Sequence, residues 1–122
     1  MTLPRLPDAE LMIMNIIWRA KGEITSAEIA EKLEGQKEWG LTTILTLLSR
    51  LGDRKFVAMR KRGRVNIYKP LVEEAEYVKK ESKSFLSRLH GNSVTSLIAS
   101  LYDGDAITEN DLNELKAFID GR

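Results

Sequence analysis

The spacing of apolar residues changes period twice along this chain, and that limits the architectures open to it. From Leu11 to Leu51 apolar positions recur at i, i+3 and i+4, the repeat of an amphipathic helix. Between Phe56 and Tyr68 two short runs, Phe56-Val57-Ala58-Met59 and Val65-Asn66-Ile67-Tyr68, flank Lys61-Arg62-Gly63-Arg64 and read as strands joined by a glycine-containing loop. Beyond Pro70 helical spacing returns. The pattern predicts a mainly α fold with a small β wing.

Local signals place the elements. Leu11, Met14 and Trp18, flanked by Ile13 and Ile17, make a first helix that is apolar around much of its circumference, with Asp8 as its expected N-cap. Lys21-Gly22 ends it. Thr25 and Glu28 stand at capping-box spacing, and Ile29, Ala30 and Leu33 follow as a short second helix. The connector QKEWG, residues 36–40, leads into LTTILTLLSR, residues 41–50, where Leu41, Ile44, Leu47, Leu48 and then Leu51 share one face. Two short helices, a tight glycine-bearing connector and a third helix form a helix-turn-helix, and the hairpin makes it winged, over residues 1–70. Trp18 and Trp39 are assigned to core and hinge packing.

Residues 71–122 read differently. A long helix from Leu71 to Leu89 has apolar positions too sparse for a core of its own. A break at His90-Gly91-Asn92 precedes a second helix, and after the turn Asp103-Gly104-Asp105, Thr108 to Asp111 cap a third. Phe85, Leu89, Val94, Leu97, Ile98, Leu101, Leu112, Leu115, Phe118 and Ile119 form amphipathic stripes without a self-sufficient core. Two copies packed together would bury them, which predicts a helical dimerisation domain. An extension folded back on the first domain is the other arrangement open.

A net charge of +1 hides a strong asymmetry. Residues 36–70 carry nine Lys/Arg against two Asp/Glu, whereas the segments on either side are net acidic. A basic block of this kind points to an anionic partner. On the 41–51 helix the solvent side holds Thr42, Thr43, Thr46, Ser49 and Arg50, with no carboxylate to repel one. A helix of this width fits the DNA major groove, where hydroxyls can reach phosphates or bases and an arginine can pair with guanine. Lys61, Arg62 and Arg64 of the wing, with Lys37, Arg54 and Lys55, are placed to meet phosphates, which position a protein without reading sequence. A winged helix that meets an acidic protein surface instead of DNA is the alternative.

Other chemistries find little support. The chain has no cysteine, so disulfides and thiolate metal sites are excluded. The lone histidine, His90, has no nucleophile or acidic pair beside it. Asp103, Asp105, Glu109 and Asp111 lack the glycine and terminal Glu of a calcium loop, and capping accounts for Glu109 and Asp111. Neither an enzyme nor a cofactor or metal is indicated. No apolar run is long enough to span a bilayer and no signal peptide is evident, so a cytoplasmic protein without membrane insertion is expected.

With these residues in view, the chain resembles the BlaI/MecI penicillinase-repressor family over nearly its whole length. The matching stretches are MNIIW (14–18), KEW (37–39), TLLSRL (46–51), Lys55-Phe56-Val57, Tyr68 with LVEE (71–74), SKSFLSRL (82–89) and SLIASL (96–101). The resemblance implies a dimeric winged-helix repressor that binds an inverted-repeat operator in double-stranded DNA, with Thr43, Thr46 and Arg50 at recognition-helix positions. It also implies an intertwined C-terminal dimer and, in antibiotic-responsive members, inactivation by a sensor-triggered protease. The family's cleaved bond is Asn-Phe, and Ser100-Leu101 stands at the aligned place. Family repressors often carry basic residues where Thr42 and Leu45 stand here. The copper-responsive branch needs C-terminal cysteines, which this chain lacks.

Overall fold

The computed structural model describes residues 3–122. Their order is α1 (Asp8–Arg19), β1 (Ile24–Thr25), α2 (Ser26–Leu33), α3 (Leu41–Asp53), β2 (Val57–Arg62), β3 (Val65–Pro70), α4 (Glu74–His90), α5 (Val94–Asp103) and α6 (Glu109–Asp120). They divide into two compact units, one ending at Lys79 and the other Lys80–Arg122.

The first unit is a winged helix-turn-helix. Its core gathers Ile13, Met14 and Ile17 of α1, Ile29 and Leu33 of α2, and Ile44, Leu48 and Leu51 of α3, all essentially without solvent exposure. Each such side chain contributes about 1.5–3 kcal/mol of burial. Asp8 is not the N-cap of α1; Pro7 holds that position, no side chain caps it, and Asp8 begins the helix proper. A carboxylate in the first turn still complements the helix dipole. Thr25 ends β1 and caps α2: its hydroxyl accepts from the Glu28 N–H (3.1 Å), while its own N–H donates to the Glu28 carboxylate (3.0 Å).

The sheet order is β1-β3-β2, all antiparallel. The short strand β1 was not anticipated; it pairs Ile24 with Tyr68 and Thr25 with Ile67. The two wing strands run further than the sequence pattern implies, pairing from Val57 with Pro70 out to Arg62 with Val65. Leu71 donates its N–H to the Phe56 carbonyl (2.8 Å), so that residue is held at the sheet and α4 begins only at Glu74.

The passage from α3 to the wing is tightly specified. The Phe56 N–H donates to the Leu51 carbonyl (2.9 Å) and the Lys55 N–H to that of Gly52 (3.0 Å). With Arg54 as C-cap this is a Schellman ending, and Lys55 takes the left-handed position at φ 65°. Phe56 is fully buried and meets Tyr77 edge-on, with ring centroids 5.6 Å apart. Tyr77 also accepts from the Leu6 N–H (2.9 Å), and Trp18 donates its indole N–H to the Val72 carbonyl (2.8 Å).

The second unit has helices with sound ends and no interior. Ser93 caps α5, and Thr108 with Asp111 forms a capping box on α6. Within Lys80–Arg122 no described residue is buried. Leu97, Ile98, Leu101, Leu112 and Leu115 are half-buried, whereas Phe85, Leu89, Val94, Phe118 and Ile119 are exposed. His90 sits at the end of α4 with Nδ1 3.0 Å from the Ser96 hydroxyl. Ser100 and Leu101 lie within α5, Ser100 exposed and Leu101 half-buried.

Candidate nucleic-acid interface

Helix α3 owes its orientation to its own sequence. Ile44, Leu47, Leu48 and Leu51 are buried in the first unit, which turns Thr42, Thr43, Thr46, Ser49 and Arg50 to solvent. Its first turn has no acidic residue and no side-chain cap, so the terminal N–H groups leave a positive end exposed. One hydroxyl is less free than the sequence suggests. Thr46 donates its hydroxyl hydrogen to the Thr42 carbonyl at 2.9 Å, leaving an oxygen that can accept and a methyl that can touch.

Leu45 is half-buried and faces neither solvent nor core fully. With Leu48, Val57, Met59 and Tyr68 it lines an open cleft of about 380 Å³ between α3 and the wing. Burial pushes the Tyr68 phenol above its ordinary pKa, against an opposing hydrogen bond with Asn66.

The wing presents its cations from strand as well as loop. Lys61 and Arg62 belong to β2, opposite Asn66 and Val65, and the connection is reduced to Gly63-Arg64. Gly63 has φ 64°, as the first position of a type II′ hairpin turn requires, and a side chain there would be strained. Lys37 is exposed in the connector with its ammonium 5.8 Å from the centre of the Trp39 ring.

Two cations of the basic block are already engaged. Arg54, expected to meet phosphate, bonds to the carboxylate of Glu10, which is 1% exposed on the inner face of α1. A buried carboxylate needs such a partner, so Arg54 belongs to the scaffold. Arg60 makes a two-point pair with Glu23, each contact 2.9 Å. Among the described residues the other seven cations of 36–70 have no carboxylate within ion-pair distance: Lys37, Arg50, Lys55, Lys61, Arg62, Arg64 and Lys69.

Sequence reasoning missed both pairs. Glu10 carried a usable signal, because it shares a helix face with Ile13, Met14 and Ile17, all of them buried. Among the described residues no group of three or more His, Asp or Glu is placed to hold a metal ion, and no helix is long and apolar enough to cross a membrane.

Comparison with known proteins places this geometry among relatives. The penicillinase repressor family profile matches residues 6–121. The penicillinase repressor of Bacillus licheniformis is 30% identical over 118 residues, covering 97% of this chain and 91% of the relative. The methicillin resistance regulatory protein MecI of Staphylococcus aureus (strain N315) is 30% identical over 114 residues, covering 93% of this chain and 92% of the relative. The solution structure of the DNA-binding domain of the repressor BlaI superposes with a TM-score of 0.55 at 34% identity, covering 62% of this chain and 92% of that one. A second solution structure, of monomeric Bacillus licheniformis BlaI in complex with the blaP half-operator, gives 0.52 at 34% identity over the same shares.

Proposed function

The chain belongs to the penicillinase repressor family, and from that premise we propose that it is a homodimeric transcriptional repressor acting in the cytoplasm. It occludes an inverted-repeat operator, in the manner of a β-lactam-resistance regulator. The observation that carries this reading is the outer side of α3, free of acids from Thr42 to Arg50, standing beside a wing whose Lys61, Arg62 and Arg64 have no carboxylate partner among the described residues. The relative solved with a half-operator uses the same fold, which supports assigning α3 to the major groove.

The roles divide by chemistry. Thr42, Thr43, Thr46 and Arg50 read base edges, Arg50 being the one long donor on that face. Lys37, Lys61, Arg62 and Arg64 neutralise phosphates and set register. The winged domain of residues 1–70 makes these contacts, and the helices of 71–122 join two copies through Phe85, Leu89, Val94, Leu97, Ile98, Leu101, Leu112, Leu115, Phe118 and Ile119. The lack of any buried residue in Lys80–Arg122 supports that pairing, since ordered helices need a covered face. Proteolysis at Ser100-Leu101 would release the operator. Because that bond lies inside α5, cutting it requires the helix to open locally first.

Duplex binding measured across salt concentration tests the reading. With three to four phosphates neutralised per protomer, the log–log slope should be about −5 to −7 for a dimer. Arg50→Ala should erode discrimination between duplexes, whereas Arg62→Ala should weaken binding to all of them alike. A flat salt profile on every duplex, or identical effects of the two substitutions, would refute it.

A further inference from the structure

Arg60 stands apart from the other wing cations. Its Nε and one terminal nitrogen both donate to the carboxylate of Glu23, the residue before β1. Arg60 lies on β2, so the pair reaches across the central strand β3. Beneath it is Ile67, the cross-strand partner of both Arg60 and Thr25, 7% exposed and outside the main core cluster. Glu23, Arg60 and Ile67 line one shallow depression on this solvent side of the sheet. The Arg60 hydrogen bond holds the Glu23 carboxyl below its ordinary pKa, against some desolvation, and the charges of Arg60, Lys69 and Arg62 act in the same direction as the bond. The Arg60 guanidinium is raised in turn, chiefly by its hydrogen bond to Glu23.

We infer that Glu23 is an affinity-setting residue: it keeps Arg60 from phosphate and sets a negative charge beside the wing. This rests on the DNA-binding reading above. Sequence-independent attraction to DNA is almost wholly phosphate neutralisation, so each cation withheld lowers it directly. Base reading by α3 does not pass through Glu23. A carboxylate on the wing therefore weakens binding to arbitrary sequence and to the operator by about the same factor, lowering the overall affinity and the salt dependence together. Arg60 cannot simply change partners on contact with DNA, because Glu23 would then be left bare beside a second anion. The exposed pair adds little to fold stability, so its consequence is electrostatic.

The test uses the full chain and two probes, a short duplex of mixed sequence and a genomic fragment selected by the wild-type protein. Glu23→Gln keeps the size of the side chain over Ile67 and removes its charge. On the mixed-sequence duplex its affinity should rise, by up to about tenfold per protomer at 0.1 M salt, with a log–log slope steeper by about one for each protomer bound. The selected fragment should gain by about the same factor, because base reading by α3 is untouched. The double variant Glu23→Gln/Arg60→Ala should return to the wild-type slope, since Arg60 neutralises nothing while Glu23 is present. An unchanged or weaker mixed-sequence affinity for Glu23→Gln overturns the inference. So does a double variant with a flatter slope than wild type, which would make Arg60 a phosphate ligand. A wild-type protein that shows no salt-dependent duplex binding would overturn the DNA reading itself, whereas a steep wild-type slope untouched by Glu23→Gln sinks only the role of Glu23.

Discussion

Replacing Lys55 by glycine should move fold stability and DNA binding in opposite directions. Lys55 occupies the C′ position of the Schellman ending of α3 at φ 65°, where most proteins place glycine. A side chain in the left-handed region costs roughly 1–2 kcal/mol. Glycine gives back about 0.5–1 kcal/mol of that through its larger backbone entropy in the unfolded chain. Losing a cation at a helix C-terminus costs a further ~0.3 kcal/mol. The remainder is a gain of about 0.5 kcal/mol, which in a domain of this size raises Tm by roughly 2–4 °C. Among the described residues Lys55 has no carboxylate partner, and it stands at the junction of α3 and the wing, so on the proposed reading it neutralises a phosphate. Losing it from both protomers should flatten the salt slope by about two. Thermal denaturation at fixed protein concentration and duplex titration at several salt concentrations read the two effects on one preparation. A variant that melts lower than wild type would refute the strain argument, and an unchanged slope would remove Lys55 from the interface.

Four further outcomes follow from other parts of the molecule. Glu10→Ala leaves Arg54 without its buried partner; a fully buried pair would cost 3–5 kcal/mol, and the partial exposure of Arg54 reduces this to about 2 kcal/mol, so an unchanged urea midpoint would contradict the scaffold role. Thr25→Ala should cost about 1 kcal/mol through loss of the α2 cap. Glu28 titrates below its ordinary 4.5 because the Thr25 N–H, and secondarily its hydroxyl, bond the carboxylate. Its contribution is therefore complete above 4.5 and fades as pH falls through the lowered value, so Glu28→Gln should flatten the acid limb of a stability profile, and an unaltered limb would deny the cap that role. Phe118→Asp, at an exposed aromatic of α6, should weaken self-association roughly thirtyfold in sedimentation, the effect expected of a buried aromatic anchor. A variant that still sediments as wild type would place the dimer contact elsewhere.

The parts of this fold that could be read in advance are those specified locally. The three N-terminal helices follow from apolar period, and Thr25 with Glu28 announces its cap within four residues. What escaped was specified at a distance. Strand β1 is two residues long and exists because Tyr68 and Ile67 come to pair with it. The pairs Arg54 with Glu10 and Arg60 with Glu23 join residues 44 and 37 positions apart. The basic character of the middle segment was plain, but not which of its charges are already committed. The strands were underestimated for another reason. Beyond Met59 every residue of β2 is exposed, so Arg60, Lys61 and Arg62 show no apolar alternation although the backbone ladder continues through them.

That continuing ladder bears on the thermodynamics of contact. Had Lys61 and Arg62 lain on a slack loop, ordering the loop on a ligand would cost about 1–2 kcal/mol for each residue immobilised. In this wing the backbone is paired up to Arg62 and Val65, and only Gly63 and Arg64 turn the corner. The backbone entropy of the hairpin is spent when the domain folds, before any nucleic acid is present. Association then asks little more than release of counterions and the settling of long side chains. Its free energy should accordingly track ionic strength closely and show little of the heat-capacity change that marks folding coupled to binding.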